Sequence, residues 1–151
     1  MQGSFGAIGE ADLDCILEIE NLSFAKPWNR LAFLQELRSE NGGAYALKSE
    51  DAGGRSELMG YVCFRYVFDE MHILKIAVAP RWRGRGAASR LIRKSIAEAA
   101  ERRISKIFLE VRPSNDPAVR FYLKAGFQIV GKRKNYYAET REDAWVMMKN
   151  I

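Results

Sequence analysis

The chain has 151 residues, of which 48% are hydrophobic and 28% charged, a composition typical of one globular domain spanning residues 1–151. Its formal net charge of +5 at pH 7 suits a polyphosphate, a nucleic acid or an acidic surface, and does not choose among them. No apolar run approaches the ~20 residues that span a bilayer and the N-terminus lacks the pattern of a signal peptide, so we expect a cytoplasmic protein.

Two helices are predicted near the N-terminus. The first covers residues 11–24 with Asp12 as its N-cap, and the second begins after the N-cap Asn29 and runs to Arg38. Pro27 separates them, and the extended stretch Phe5–Ile8 before them is predicted to be an edge strand. Apolar residues recur at three-residue steps in both helices: Leu13, Ile16, Ile19 and Leu22 in the first, and Leu31, Leu34 and Leu37, flanked by Phe33, in the second.

A β-meander follows these helices. Its predicted strands are Ala44–Lys48, Leu58–Phe68 and Met71–Ala79, and only Asp69 and Glu70 separate the last two. Both of those strands are apolar on both faces. Such strands are typical of a central sheet that helices cover on each side.

The second half of the chain alternates helices and strands. A helix is predicted from Ala87 onward, and the strand Lys106–Val111 after it should run parallel to the strand that precedes the helix. A further helix opens at Asn115 and Pro117 and closes at Gly126. Two last strands are predicted at Phe127–Gly131 and Ala144–Lys149, joined by the basic connection KRKNYYAETRED. The predicted fold class is therefore α+β, with a mixed central sheet in a single domain.

Two cysteines occur, and their spacing fits no metal site. Cys15 lies in a helical pattern and Cys63 in a strand pattern, far apart in sequence. We expect both to be buried, reduced thiols and expect no bound metal.

The segment RGRGAA, at residues 83–88, stands directly before a predicted helix. A helix N-terminus presents unpaired N–H groups, and glycines there allow a phosphate to approach the backbone. The segment is not a Walker loop, since no Gly-Lys-Ser/Thr follows, and it lacks the third glycine of a dinucleotide fingerprint. Taken alone, it is equally an ordinary loop that its arginines solvate.

The order of the elements around the RGRGAA segment indicates more about its function than the segment does alone. Four segments follow one another along the chain: a strand ILKIAVAP, the RGRGAA segment, a long amphipathic helix and FLEVRPSNDPAVRFYLKAGF. In this arrangement the chain resembles, over nearly its whole length, the GCN5-related N-acetyltransferases (GNAT). The resemblance implies a mixed sheet in which two parallel strands part at the acetyl-CoA site. It also implies that acetyl-CoA is bound by the backbone of Ile76, Ala77 and Val78, by Arg83, Gly84, Arg85, Gly86, Ala87, Ala88 and Ser89, and by Asn115.

Within that family the chain is similar to the RimI-type ribosomal-protein-alanine N-acetyltransferases. The similarity implies that the acceptor is a protein N-terminus, namely the N-terminal alanine of small-subunit ribosomal protein eighteen. Three positions depart from the usual pattern: Arg83 stands where glutamine is frequent, Ala88 replaces a glycine, and Pro113 follows LEVR. The matching residues are Pro27-Trp28, Asp69-Glu70, Ile76–Val78, Leu109–Arg112, Ser114-Asn115, Tyr122 with Gly126-Phe127, Asn135–Tyr137 and Arg141–Ala144.

Glu110 and Tyr122 are the candidate catalytic residues. A carboxylate in the apolar strand KIFLEV tends toward a raised pKa, which suits a base, whereas a salt bridge to Arg112 on the same face would lower it. The resemblance assigns Glu110 the role of base, acting through water, and Tyr122 the role of acid toward the CoA sulfur. The alternative for Tyr122 is a packed aromatic beside Phe121 and Ala125.

The acceptor groove is predicted from the same resemblance. It would be lined by Trp28, Glu70, Tyr136 and Tyr137, and the charge of Glu70 suits the basic second residue of an Ala-Arg start. The single histidine, His72, has no partner nearby in sequence and is interpreted as structural.

Two other functions remain open at this point. The patches RWRGRG, ERRISK and GKRKNYY could contact nucleic-acid phosphates, with tyrosines stacking on bases, but this leaves Glu110 and the ordered β-loop-α-β-α unit unexplained. The same fold could instead acetylate lysine, a polyamine or a drug amine, a difference that lies in the acceptor groove. The expected function is N-terminal acetylation of a protein, with no membrane and no nucleic acid as direct partner.

Overall fold

The computed structural model describes residues 3–51 and 53–151. Within these residues the chain groups into two compact units: a first unit of the residues up to Tyr66 with Ile73–Ser95, and a second unit of Val67–His72 with Ile96–Ile151. None of the described helices is long and apolar enough to cross a membrane. The elements are, in order, β1 Gly3–Ala7, α1 Leu13–Ser23, α2 Arg30–Arg38, β2 Gly42–Glu50, β3 Ser56–Val67, β4 Glu70–Val78, α3 Ala87–Glu101, β5 Lys106–Val111, α4 Asp116–Lys124, β6 Gln128–Tyr137 and β7 Glu142–Asn150.

The strands of the first unit follow the predicted meander. Their order is β1-β2-β3-β4, and β1 is the edge strand that the sequence predicted. The β1–β2 and β2–β3 pairs are antiparallel. Consecutive residues of β3 from Leu58 to Phe64 are buried, so both faces of this strand are covered, as its apolar sequence indicated.

Helix α1 buries a different stripe from the one predicted. Leu13, Ile16 and Ile19 are buried as expected, but Leu22 is 69% exposed and Glu20 takes the fourth buried position. An α-helix turns about 100° per residue, so nine residues from Leu13 to Leu22 reach the opposite face, whereas the seven residues to Glu20 return to nearly the same one. The three-residue step therefore misassigned Leu22.

The N-caps were predicted with mixed success. Asn29 caps α2 as expected, because its Oδ1 accepts from the Ala32 N–H at 2.9 Å. Asp12 does not cap α1 with its side chain; its Oδ2 accepts from the Gly9 N–H at 2.9 Å and closes a 3₁₀ turn at Glu10–Asp12.

The strands of the second unit form a mixed arrangement. Their order is β4-β5-β7-β6, with β4 and β5 parallel and the other pairs antiparallel. The parallel register joins Glu70–His72 to Lys106–Phe108. The predicted α+β fold class with a mixed sheet is confirmed, while the prediction of a single domain stays a prediction.

The ends of α4 match the sequence prediction. Asn115 Oδ1 accepts from the Ala118 N–H at 3.3 Å, and Pro117 lies in the first turn. Gly126 follows the helix with φ +99°, a conformation that glycine adopts at little cost.

Two further predictions are wrong in this structure. Strand β6 continues to Tyr137, so most of the expected basic connection is strand; its alternation was hidden because Gln128–Tyr136 is exposed throughout, on the sheet edge. Cys15 is exposed, because it lies on the outer face of α1, whereas Cys63 is buried as expected. Both thiols are free.

Candidate active site

The glycine-rich loop of the first unit has the backbone geometry of a phosphate cradle. Gly84 and Gly86 have φ +73° and +81°, and a Cβ atom added at either position would meet no atom within 4 Å. Helix α3 starts at Ala87, and the Arg90 N–H donates to the Gly86 carbonyl at 3.1 Å. The first amides of an α-helix have no intrahelical acceptor, so this end of α3 can bind an anion.

Arg83 ties this loop to the neighbouring strand. Its Nε donates to the Val78 carbonyl at 3.1 Å, and its Nη2 donates to Ser23 Oγ at 3.3 Å. The Arg85 guanidinium lies 5.2 Å from the centre of the Trp82 ring. The Val78 carbonyl thus already uses one of its two lone pairs inside the protein, at the strand predicted to contact the pantetheine arm.

A carboxylate cluster lies in the second unit. The Glu110 side chain is 7% exposed; its Oε2 is 2.5 Å from His72 Nε2 and its Oε1 is 3.4 Å from Arg133 Nε. The Arg133 guanidinium lies 5.7 Å from the centre of the Tyr136 ring. These four residues, His72, Glu110, Arg133 and Tyr136, are called the Glu110 cluster below.

Strand register explains why these side chains meet. His72 pairs with Phe108 in the parallel β4–β5 register, and Glu110 is two residues beyond Phe108 on the same face. Arg133 and Tyr136 come from β6. The predicted location of Glu110 in a buried strand is confirmed, whereas the partner that sequence reasoning offered for it is wrong.

Arg112 makes other contacts instead. It forms ion pairs with Glu139 and Glu142, the latter at 3.5 Å, and its guanidinium stacks 3.8 Å from the centre of the Tyr137 ring. The N–H and the hydroxyl of Ser114 both donate to the Glu142 carboxylate at 2.9 Å. Arg112 therefore holds the turn between β6 and β7 and supports Tyr137.

Tyr122 is a buried phenol in an aromatic cluster. Its ring centre lies 5.2 Å from that of Phe121 and 5.8 Å from that of Phe127. Burial, and then the nearby Tyr137, raises the pKa of Tyr122. The phenol therefore keeps its proton well into alkaline solution. The packing that sequence reasoning offered as an alternative is present, and the role as acid stays a prediction.

The predicted acceptor residues have varied surroundings. Tyr136 and Tyr137 pack edge to face, with ring centres 5.1 Å apart, and Glu70 is half-buried at the start of β4. These three belong to the second unit. Trp28 belongs to the first unit, where its ring lies 5.2 Å from that of Phe33. The backbone N–H of Trp28 donates to Glu20 Oε2 at 2.8 Å.

Sequence reasoning missed two polar contacts. His72 was interpreted as structural because it has no partner nearby in sequence; the structure shows that it contacts Glu110, 38 residues away. Glu20 was not singled out, although its spacing from Leu13 places it on the buried face of α1. Among residues 3–51 and 53–151, no group of three His, Cys, Asp or Glu side chains could hold a metal ion.

A helix N-terminus that can bind an anion and a buried carboxylate beside a histidine are both features that occur in enzyme active sites. The model of the acetyltransferase (GNAT) family matches residues 13–127. The chain therefore belongs to the GNAT family and is an acetyltransferase.

Individual relatives agree with this assignment. A Bacillus subtilis protein, named provisionally as a [ribosomal protein bS18]-alanine N-acetyltransferase, is 39% identical over 140 residues, 93% of this chain and 90% of its own. The crystal structure of the ribosomal-protein-S18-alanine N-acetyltransferase from Escherichia coli is 28% identical, covers 99% of this chain and 94% of its own, and has a TM-score of 0.86. Arabidopsis thaliana NAA60 in complex with acetyl-CoA shares the fold, with a TM-score of 0.90 at 20% identity over 99% of this chain and all of its own. The predicted similarity to RimI-type enzymes is confirmed.

Proposed function

We propose that this chain transfers the acetyl group of acetyl-CoA to the N-terminal alanine of ribosomal protein bS18, in the cytoplasm. The observation that carries the proposal is the 39% identity to a relative with that named activity over 93% of the chain. A similarity that covers nearly every element includes the acceptor side of the enzyme as well as the co-substrate side. The chain's family supports acetyl transfer, and the relatives support the choice of amine.

The proposal assigns the pyrophosphate and part of the pantetheine arm of acetyl-CoA to residues of the first unit. The amides at the start of α3 and the open space beside Gly84 and Gly86 fit a pyrophosphate group. The backbone of Ile76, Ala77 and Val78 would hold the pantetheine arm as an added strand does. Bound acetyl-CoA supplies the thioester carbonyl that the acceptor amine attacks.

Amine chemistry favours an N-terminal acceptor over lysine. An α-amine has a pKa of about 8 and lysine one of about 10.4, so removing the proton near pH 7.5 costs about 0.7 kcal/mol for the first and about 4 kcal/mol for the second. A single carboxylate such as Glu110, working through one water molecule, is a sufficient base for an α-amine. It is a weak one for lysine.

Two side chains would move the protons. Glu110 takes the proton that the acceptor amine loses as the new C–N bond forms. Tyr122 donates a hydrogen bond, and then its proton, to the CoA sulfur as the C–S bond breaks. Because burial raises the pKa of Tyr122, the phenol is protonated and ready throughout the neutral range.

Four side chains are assigned to the acceptor peptide. Trp28, Tyr136 and Tyr137 offer aromatic surfaces, and the carboxylate of Glu70 would pair with a basic second residue. Asn115 is assigned to the pantetheine arm through its side-chain amide, in addition to its role as the cap of α4.

The test uses intact-mass spectrometry with acetyl-CoA and two short peptides. One peptide begins Ala-Arg-Tyr with a free α-amine; the other is blocked at its N-terminus and carries an internal lysine. We expect acetylation of the first alone, followed by acetylation of bS18 itself. The Glu110→Gln variant is the control for uncatalysed transfer, and Lys106→Gln, at an exposed position of the same strand, is the control for a neutral substitution.

The other outcomes are equally informative. Acetylation of the blocked peptide alone would leave acetyl transfer in place and make the proposed acceptor wrong. No reaction, no heat of acetyl-CoA binding and salt-sensitive binding to RNA would favour a nucleic-acid module.

A further inference from the structure

The side chain that touches Glu110 most closely has no role in the function proposed above. His72 Nε2 lies 2.5 Å from Glu110 Oε2, which is the short end of the hydrogen-bond range. The contact joins two parallel strands of the second unit, so both side chains are held by regular backbone hydrogen bonding.

Other groups that face Glu110 cannot take a proton from it. Arg133, on β6, remains charged at any pH the protein meets. Tyr136, also on β6, is a neutral phenol whose pKa is raised by burial and then by the Glu110 charge. Tyr137 behaves in the same way, with its pKa raised to about 12 mainly by burial. On β7, Glu110 pairs with the uncharged Val146.

His72 differs from these groups in chemistry and in exposure. Histidine is the side chain whose ordinary titration range includes neutral pH. The His72 side chain is 34% exposed, whereas that of Glu110 is 7% exposed. A proton on the imidazole can therefore leave to water, while a proton on the carboxyl group alone has little access to it.

We infer that His72 is a positioning residue for Glu110 that also receives the proton Glu110 removes from the acceptor amine. The inference rests on the proposed function, with Glu110 as base. The amine loses an N–H bond and Glu110 gains an O–H bond; the O–H bond then breaks as the proton passes to unprotonated His72 Nε2, which makes an imidazolium paired with the carboxylate, and the exposed ring finally loses a proton to water. The pair is thereby restored for the next turnover, and no other reactant is needed.

The pair has a signature in the pH dependence of kcat/KM. At acidic pH both the acceptor amine and the His72–Glu110 pair must lose a proton before transfer, so the logarithm of kcat/KM should rise with pH with a slope near 2. In the His72→Gln variant, glutamine can donate to Glu110 but cannot take a proton, so the slope should fall to 1. A purely structural role of His72 would leave the slope unchanged.

Steady-state constants separate positioning from packing. In His72→Gln we expect kcat at pH 7 to fall about 10- to 100-fold, with both KM values within about twofold of the parent. Lys106→Gln, the matched control on the exposed part of β5, should keep the parent constants. Equal kcat in His72→Gln and parent, or a fall that comes with a large rise in both KM values, overturns the inference.

A measurement without turnover keeps the test independent of the acceptor. His72 is the chain's single histidine, so its ring C–H resonance in a proton NMR spectrum needs no assignment. We expect the titration midpoint of that resonance to lie at lower pH in Glu110→Gln than in the parent, because the imidazolium loses its carboxylate partner. Identical midpoints overturn the inference even if the peptide assay succeeds; different midpoints with no peptide acetylated would instead show that the proposed acceptor is wrong.

Discussion

Glu20 in the first unit and Glu110 in the second are both carboxylates with little or no solvent exposure, and their surroundings differ greatly. Glu20, on α1 in the first unit, is 0% exposed and accepts from the Tyr61 hydroxyl at 2.5 Å, from Lys75 Nζ at 2.8 Å and from the Trp28 N–H at 2.8 Å. The Lys75 side chain is 11% exposed and lies over the Phe24 ring. Glu20, Tyr61 and Lys75 are called the Glu20 cluster below, and their side chains have little or no contact with water.

Glu110 has partners that reach solvent. His72 and Arg133 have side chains that are 34% and 58% exposed, and one of them can change its charge near neutral pH. The donors around Glu20, by contrast, are a lysine ion-paired at close range, a backbone amide and a phenol whose pKa burial raises far above neutral. The comparison teaches that burial alone does not distinguish a candidate base from a structural carboxylate. The exposure of the partners distinguishes Glu110 from Glu20.

The largest effect on stability should come from removing the negative charge of the Glu20 cluster. Glu20→Gln leaves Lys75 as a buried charge without its partner, which typically costs about 3–5 kcal/mol of stability. Urea denaturation followed by fluorescence measures the loss, with Glu18→Gln on the exposed face of α1 as the matched control. A loss below about 1 kcal/mol would mean that Glu20 and Glu110 make similar contributions to the free energy of unfolding.

The same substitution at Glu110 should preserve stability and lower activity. Glu110→Gln keeps a hydrogen-bonding amide beside His72 and Arg133, so we expect an unfolding free energy within about 1 kcal/mol of the parent. Turnover should fall about 100-fold, the lower end of what a general base contributes. Single-turnover transfer to the Ala-Arg-Tyr peptide measures this, and unchanged rates would remove Glu110 from the mechanism.

Tyr122→Phe should have a smaller effect on transfer. The variant keeps the aromatic packing and loses only the hydroxyl, so we expect a fall of about tenfold in the single-turnover rate with stability preserved. Because burial raises the pKa of Tyr122, the parent rate should show no descending limb from this group up to about pH 10. A variant as fast as the parent would return Tyr122 to a packing role.

Cys63 extends the comparison to alkaline pH. Burial, and then the charges of Glu36 and Glu20, raises the pKa of this thiol to about 12. The folded state keeps the proton while the unfolded chain loses it above about pH 8.5, so the stabilisation is complete below that pH and is lost as the pH rises toward 12. Between pH 7.5 and 9.5 the unfolding free energy of Cys63→Ala should therefore fall about 1 kcal/mol less than that of the parent, while Cys15→Ala should follow the parent. Equal pH dependence in all three proteins contradicts the shift.

The sequence prediction was most accurate where it rested on signals in a few adjacent residues. The strand Lys106–Val111 and the caps of α4 were predicted at the residues observed, because an apolar run, an Asn before Asp-Pro and a closing glycine are each written in a few adjacent positions. Strand β6 was cut short because an exposed edge strand carries no hydrophobic alternation. The parallel pairing of β4 and β5 followed from the intervening helix.

The candidate site was predicted only in part, for a physical reason. The glycine loop and Glu110 stand out because their surroundings in sequence are unusual. Their partners do not, since the contact of His72 with Glu110 and the ion pairs of Arg112 with Glu139 and Glu142 join distant segments. Which charge meets which is decided by strand register, and a one-residue change in register moves every side chain to the other face.

The unequal exposure of the two cysteines gives this chain a practical property. Cys15 is open to solvent on α1 and Cys63 lies within the core. A thiol-reactive dye should therefore label the native protein once, at Cys15, without any substitution. The appearance of a second label then reports how often the core opens, so the natural sequence carries its own stability assay.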